Sequence, residues 1–334
     1  MLLKVAGYRR STPKRRSSRS KRWSRSAQTL FASWAVLGQL GGMGLLVGEA
    51  VQPSVAKADI SDIPGARGGT NGTATASEEG AFAIGVSAVA NGFNATAIGN
   101  SSNASGIDAT AVGEYARALA ENATAFGAHS KAEGFNSTAI GPETWSAGNK
   151  STAIGYKANA AGNKTVALGE SAKAYSNETT ALGVLAIAGV DDGSDGIGAT
   201  AVGRRANASG NYSVATGYNS TAIGACSIAI GKNSSASGKE AFAVGARSSA
   251  SDTNGIAIGT DSNASGSKAI AIGSSSSANK ERSLALGYSS KATGKQSLAV
   301  GDSSQATGTY AIAIGCQAAA LDEAAIAIGK ESNS

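Results

Sequence analysis

Glycine recurs every fourteen residues through most of this chain. It stands at Gly85, Gly99, Gly113, Gly127, Gly141, Gly155, Gly169 and Gly183 and then, after one wider interval, at ten more positions from Gly203 to Gly329. Self-similarity at a fixed short period means one small unit stacked many times, each copy burying its surface against the next. Eighteen such glycines set eighteen copies.

Aligned on this glycine, the position two before it is alanine in every copy, from Ala83 to Ala327. The position just before it is large and apolar except at Thr216. Three before, Thr96, Thr110, Thr124, Thr138 and Thr152 give way to Ile228, Phe242, Leu284 and Ile312. Four before, the residue is small. Large and small residues thus alternate with period two, the pattern of a strand whose successive side chains leave on opposite faces. After the glycine, small residues at three and five (Ala90, Ala104, Ala160, Ala236, Ala306) flank a variable, mostly polar position. Seven after, eleven of the sixteen regular copies carry a second glycine, replaced elsewhere by Ala120, Ser176, Asp252, Lys280 or Asp322. Glycine at both places suits corners that need positive φ or close backbone approach. Each copy therefore reads as strand, corner, strand, corner, with strands of about five residues. A coiled coil is excluded, since its seam needs apolar residues three and four apart. Collagen needs glycine at every third residue, which is not the pattern here.

Such coils stack into parallel, in-register sheets about 4.8 Å apart. The spacing predicts an all-β parallel solenoid of 14-residue coils, a flattened roll about 85 Å long. The small columns are assigned to its interior. The apolar column, including Ile84, Ile98, Val112, Ile154, Leu168, Ile230, Ile258, Ile272, Leu286, Ile314 and Ile328, then lies outside. A stripe this long exceeds what a soluble monomer exposes and calls for a partner, most simply further copies about a common axis. The converse arrangement, large residues inside and alanines outside, stays open at this point.

Copies such as Ser227-Ile228-Ala229-Ile230-Gly231 and Ser297-Leu298-Ala299-Val300-Gly301, followed by Ser304-Gln305-Ala306-Thr307-Gly308, resemble the head repeats of trimeric autotransporter adhesins, the YadA-like family. The resemblance covers about residues 80 to 330. It implies a left-handed β-roll, homotrimeric about its long axis, on a bacterial outer surface or secreted, and a non-enzymatic adhesive role toward host matrix, cells or other bacteria. The alternative is a monomeric secreted solenoid binding ice or polysaccharide through a flat face, with Thr96 to Thr152 as its array.

Residues 1–58 stand apart. The first 28 carry ten Lys and Arg and no acid, an apolar stretch runs from Leu30 to Val47, and Ala56-Lys57-Ala58 precedes Asp59. This reads as a secretory leader cut between Ala58 and Asp59, with an uncleaved membrane anchor and a nucleic-acid-binding tail as competing readings. Of 29 basic and 23 acidic residues, 11 and 1 lie in this segment, leaving 18 against 22. The basic balance belongs to the leader and argues for no nucleic-acid partner of the remainder. Residues 59–80 form a lead-in, 81–183 and 198–330 the repeats, 184–197 a repeat with an acidic insertion, and 331–334 a tail. No heptads and no barrel strands follow, so anchoring by a stalk and membrane barrel is not seen in this sequence.

Chemistry is sparse. Asp191, Asp192 and Asp195 are weak candidates for calcium, against a solvated loop. His129 has no second imidazole or cysteine near it in sequence, which speaks against a metal or catalytic site. Cys226 and Cys316, about seven coils apart, are too distant to pair within one chain. Sequons at Asn94, Asn122, Asn163 and Asn207 follow from composition. No cofactor is expected. The candidate ligand contacts are exposed aromatics and arginines on the variable face and corners: Trp145, Tyr115, Tyr156, Tyr218, Arg205 and Arg247.

Overall fold

The computed structural model describes residues 74–191 and 195–334. Residues 1–73, and with them the leader and the Ala58/Asp59 junction, lie outside the described residues. Within the described part every strand belongs to one of two parallel ladders, and no helix occurs. One ladder contains three-residue strands, from Phe82–Ile84 to Ile326–Ile328; the other contains two-residue strands, from Thr75–Ala76 to Ala319–Ala320. Pairing is in register at the repeat length, as in Thr138↔Thr152, Ala139↔Ala153 and Ile140↔Ile154. Both ladders are open stacks: Phe82–Ile84 and Ile326–Ile328 each have one neighbour. The strands are shorter than the alternation suggested, because two four-residue turns occupy more than half of each coil. The stack starts at Thr75–Ala76, which pairs with Val89–Ala90 inside the stretch read as lead-in. At the other end Asn333 bridges to Ala319.

The interior decides between the two arrangements left open by sequence. The alanine columns are buried in both ladders, for example Ala95, Ala97, Ala104 and Ala109 at 0% exposure. The largest fully buried side chains are Thr144, Thr165 and Thr179. Nothing bigger fits between two sheets this close, so the large residues stand outside. Most inner hydroxyls cost little to bury because they reach back three residues to a corner carbonyl: Ser130 Oγ donates to Gly127 O (2.8 Å) and Thr165 Oγ1 to Gly162 O (2.8 Å), whereas Ser137, Ser213 and Ser227 are buried without such a partner.

The two kinds of corner use glycine for different reasons. The ladder glycines do carry positive φ, between 121° and 135°. The midpoint glycines do not; their need is close approach, since a Cβ on Gly92 or Gly224 would overlap the carbonyl of the next coil's midpoint. Two residues after each corner comes a further left-handed position, filled by glycine at Gly80 and Gly198 and elsewhere by non-glycine residues: 34 of them, including Asn94, Tyr115, His129, Lys164 and Arg247, have φ between 51° and 62°. Each is the third residue of a β-turn, where a type II turn requires φ > 0; most of these turns are closed by a backbone bond, such as Ala88 N to Gly85 O at 3.2 Å, and those ending at Thr144, Ser151, Thr165 and Thr179 by the side-chain hydroxyl donating to the same carbonyl. The amide of that residue then donates to the coil before, as Tyr115 N does to Asn100 O at 2.8 Å. Stacking neighbours thus hold a conformation that costs an isolated residue about 1–3 kcal/mol.

The wider interval interrupts neither ladder. Ile187 pairs with Asn207 and Thr180 with Thr200, so both ladders continue across it. Gly196 closes the turn with Ala199 N, as an ordinary midpoint does, which leaves residues 190–195 as the insertion. Ser176, which replaces the midpoint glycine one coil earlier, fastens both its ends: its Oγ donates to Asp195 O and accepts from Val190 N.

Candidate interaction surfaces

Two long faces and two rows of corners are available to a partner. The face of the three-residue ladder carries two side-chain columns, one of Thr grading into Ile, Leu, Val and Phe, the other apolar except at Thr216. Ile84, Ile98, Val112, Ile154, Ile258 and Ile272 are half-buried by their neighbours one coil away, and Leu168, Ile230, Leu286, Ile314 and Ile328 are exposed. No other described part of the chain covers this face. It is continuous from the first coil to the last, and Phe126, 55% exposed, protrudes from it.

The opposite face, that of the two-residue ladder, presents a single column whose chemistry changes along the axis. Arg117, Lys131 and Trp145 follow one another in register, whereas Thr221, Ser235, Ser249 and Ser277 occupy the same column further on.

On the corners, residues fourteen apart in sequence become neighbours and interact. Asn149, Asn163 and Asn177 form a ladder, each Oδ1 accepting from the backbone N–H one coil earlier, at 2.8–2.9 Å. Asn211 does the same for Ile197 across the insertion. Lys164 pairs with Glu178 at 2.8 Å, and Lys295 with Glu281 at 3.0 Å. These contacts hold the Glu178 and Glu281 carboxyls below their usual range and the Lys164 ammonium above its own.

The six candidate contact residues fall in separate places. Tyr115 stacks on His129 of the next coil, ring centroids 5.0 Å apart. Trp145 donates through Nε1 to Glu133 Oε2 at 3.0 Å. Trp145 and the His129 on which Tyr115 stacks both line a recess of about 500 Å³, together with Lys131, Glu143 and Thr144. One coil beyond, Lys157 lies 4.9 Å from the Tyr156 ring centre and 3.5 Å from Glu143, and both partners raise its pKa, Tyr156 the more. Tyr218 lies under the guanidinium of Arg204, while the neighbouring Arg205 is exposed and in no ion pair among the described residues. Arg247 is further off, bound at two points to Asp261, whose pKa it lowers. Sequence reasoning missed the roles of Lys131, Glu133 and His129. The spacing of fourteen between Tyr115 and His129 was the signal available for that stack.

Asp191 and Asp195 belong to the insertion, Asp192 lies outside the described residues, and no cluster of three metal-binding side chains occurs among the described residues. Asp195 Oδ1 instead accepts from Asn211 Nδ2 at 3.1 Å. Cys226 and Cys316 are exposed free thiols.

Comparison with known proteins agrees with this geometry. The YadA head domain repeat matches residues 76–130, 132–158, 160–186 and 194–332. No curated protein sequence matches the chain. Among solved structures, the crystal structure of the collagen-binding domain of the Yersinia adhesin YadA is similar at 27% identity, covering 46% of this chain and 68% of that one with a TM-score of 0.29. The repeat match spans most of the chain and coincides with the stacked coils, and the chain belongs to the family of YadA head domain repeats.

Proposed function

We propose that the chain acts as the head of a bacterial adhesin, secreted or on the cell surface, in which three copies lie side by side with their apolar ladders turned inward. The observation that carries this reading is the uncovered apolar face, eighteen coils long, on a chain whose interior is already filled by alanine. Contact with water along so much Ile, Leu and Val is unfavourable by about 25 cal/mol per Å², and a closed ring of copies removes it. What stays outside is a stiff rod carrying three sets of corners and polar columns. Adhesion to matrix, cells or other bacteria then comes from many weak contacts acting together rather than from one pocket.

The test is adhesion of the wild-type chain and of an Ile230→Asp/Ile258→Asp variant to matrix-coated surfaces and cell layers. The two acids stand on the outer face and leave the coil intact, but they oppose assembly. The reading expects the variant to stay folded and to lose about 100-fold or more in apparent affinity. A folded, single-chain variant that adheres as well as the wild type would refute it.

A further inference from the structure

Arg117 and Lys131 sit side by side on the face of the two-residue ladder, paired in register and both exposed. Like charges directly opposite one another in a sheet are destabilising. Neither cation has an ion-pair partner among the described residues. Of the acids beside Trp145, Glu133 accepts its indole N–H, and Glu143 pairs with Lys157. The column's next member, Trp145, is 41% exposed with its ring fixed by that bond, and it borders the recess shared with His129 and Lys131. Two unneutralised cations leading to an immobilised aromatic ring thus run along the rod at steps of about 4.8 Å. Seven coils in the second half of the same column carry Ser, Thr or Asn in their place.

We propose that this run binds an acidic polysaccharide, with anionic substituents on Arg117 and Lys131 and a sugar ring against Trp145. The step between coils is comparable to the length of one sugar residue in an extended chain, so successive groups of one glycan meet successive side chains. An acidic polypeptide fits less well. It could not add to this face as a strand, because the backbone groups of the ladder are spent on neighbouring coils. The assignment deepens the adhesin reading, for it names one class of molecule to which the head would hold.

The experiment uses the full chain in solution, with heparin, hyaluronan and neutral malto-oligosaccharides of six sugars and with poly-L-glutamate as probes, measured by calorimetry at two salt concentrations. Variants are Arg117→Ala/Lys131→Ala, Trp145→Ala and, as a control cation in the same column, Lys291→Ala. Binding of heparin or hyaluronan is expected to weaken about tenfold or more in each of the first two variants, from the loss of charged hydrogen bonds or of ring stacking. Lys291→Ala should bind as the wild type does, and the neutral glycan should not bind. Heparin alone points to sulfate as the recognised group, and hyaluronan binding points to carboxylate. Melting curves of the variants check folding; these exposed side chains should leave the midpoint unchanged or, for the double variant, slightly raised.

The proposal is overturned if the wild type binds neither acidic glycan. It is equally overturned if the double variant binds like the wild type, which would move the site to the basic residues 1–28 or elsewhere. Poly-L-glutamate binding as tightly as the glycans, with no effect of Trp145→Ala, would reduce it to attraction of any polyanion. A chain that adheres to cells yet ignores acidic glycans refutes this inference alone, and one that binds glycans without adhering refutes the adhesin reading alone.

Discussion

Replacing glycine by alanine should have opposite outcomes at the two kinds of corner. At Gly217, φ is +131°, a region closed to side chains, and an added Cβ would lie 2.6 Å from the carbonyl oxygen of Gly231 in the next coil. The amide of Gly217 is committed to Val202 O at 2.8 Å, so the residue cannot rotate away without opening the ladder. Backbone strain of about 1–3 kcal/mol and the clash together put the cost of Gly217→Ala at about 3 kcal/mol or more. At Gly224, half a coil later, φ is not positive and the obstacle is the next coil's backbone, an added Cβ lying 1.9 Å from the Gly238 carbonyl oxygen. The chain itself shows how this is relieved. Midpoint glycines share a carbonyl with the preceding amide through a long second bond, 3.5 Å from Gly224 N to Ala236 O. Where Ala120, Asp252 or Lys280 occupies the midpoint, that second bond is absent and only the preceding residue donates, as Ser251 N does to Ala264 O. Losing so weak a bond is largely offset by the lower chain entropy of alanine in the unfolded state, which leaves Gly224→Ala within about 1 kcal/mol of wild type. Stacked coils unfold in segments rather than all at once, so the assay is native-state hydrogen exchange of residues 214–230, supported by urea denaturation. Equal effects, or a larger loss at Gly224, would refute the argument.

Ala229→Leu inserts three carbons into a column that is alanine in every copy, inside a roll whose largest fully buried side chain is threonine; a loss of about 3 kcal/mol or more by urea denaturation is expected. Asn163→Ala removes the acceptor of the Asn149 amide at the exposed corner and should cost about 1 kcal/mol or less, with faster exchange confined to Asn149. Acid should weaken the fold modestly. Glu178, Asp261 and Glu281 have depressed folded-state pKa values, so their contribution is complete above the unfolded carboxylate range and is lost as pH falls through the folded values. Melting temperature should therefore be level from pH 7 to about 5 and decline below about 4. Added salt should flatten the decline, because all three pairs are exposed.

Much of this architecture was legible because the interior admits so few residues. An alanine two before every ladder glycine, with a large residue beside it, marks Ala97 as inside and Ile98 as outside once the sheets are recognised as close together. Sequence alone left the converse arrangement open, since alternation shows that two faces differ and not which one is covered. The left-handed turn residues were hidden for another reason. Their column holds Tyr115, His129, Glu143, Lys157 and Arg247 in turn, because the coil-to-coil amide bonds impose the conformation and the side chain, pointing to solvent, is free to vary. Asparagine, the non-glycine residue that best tolerates positive φ, does recur there at Asn94, Asn122, Asn136 and Asn254, a faint trace of the constraint. The run from Arg117 to Trp145 escaped notice because its members are fourteen apart and only the register makes them neighbours.

The central claim is that the apolar ladder is an interface between copies of this chain. Sedimentation velocity and equilibrium on the purified chain give its mass and its frictional ratio together. The account predicts an elongated particle of three chains that falls to one chain when Ile230 and Ile258 are both changed to Asp. An elongated single chain that is soluble at high concentration would contradict it and favour the flat face of a monomeric solenoid, with Thr96 to Thr152, as the surface that meets ice or polysaccharide.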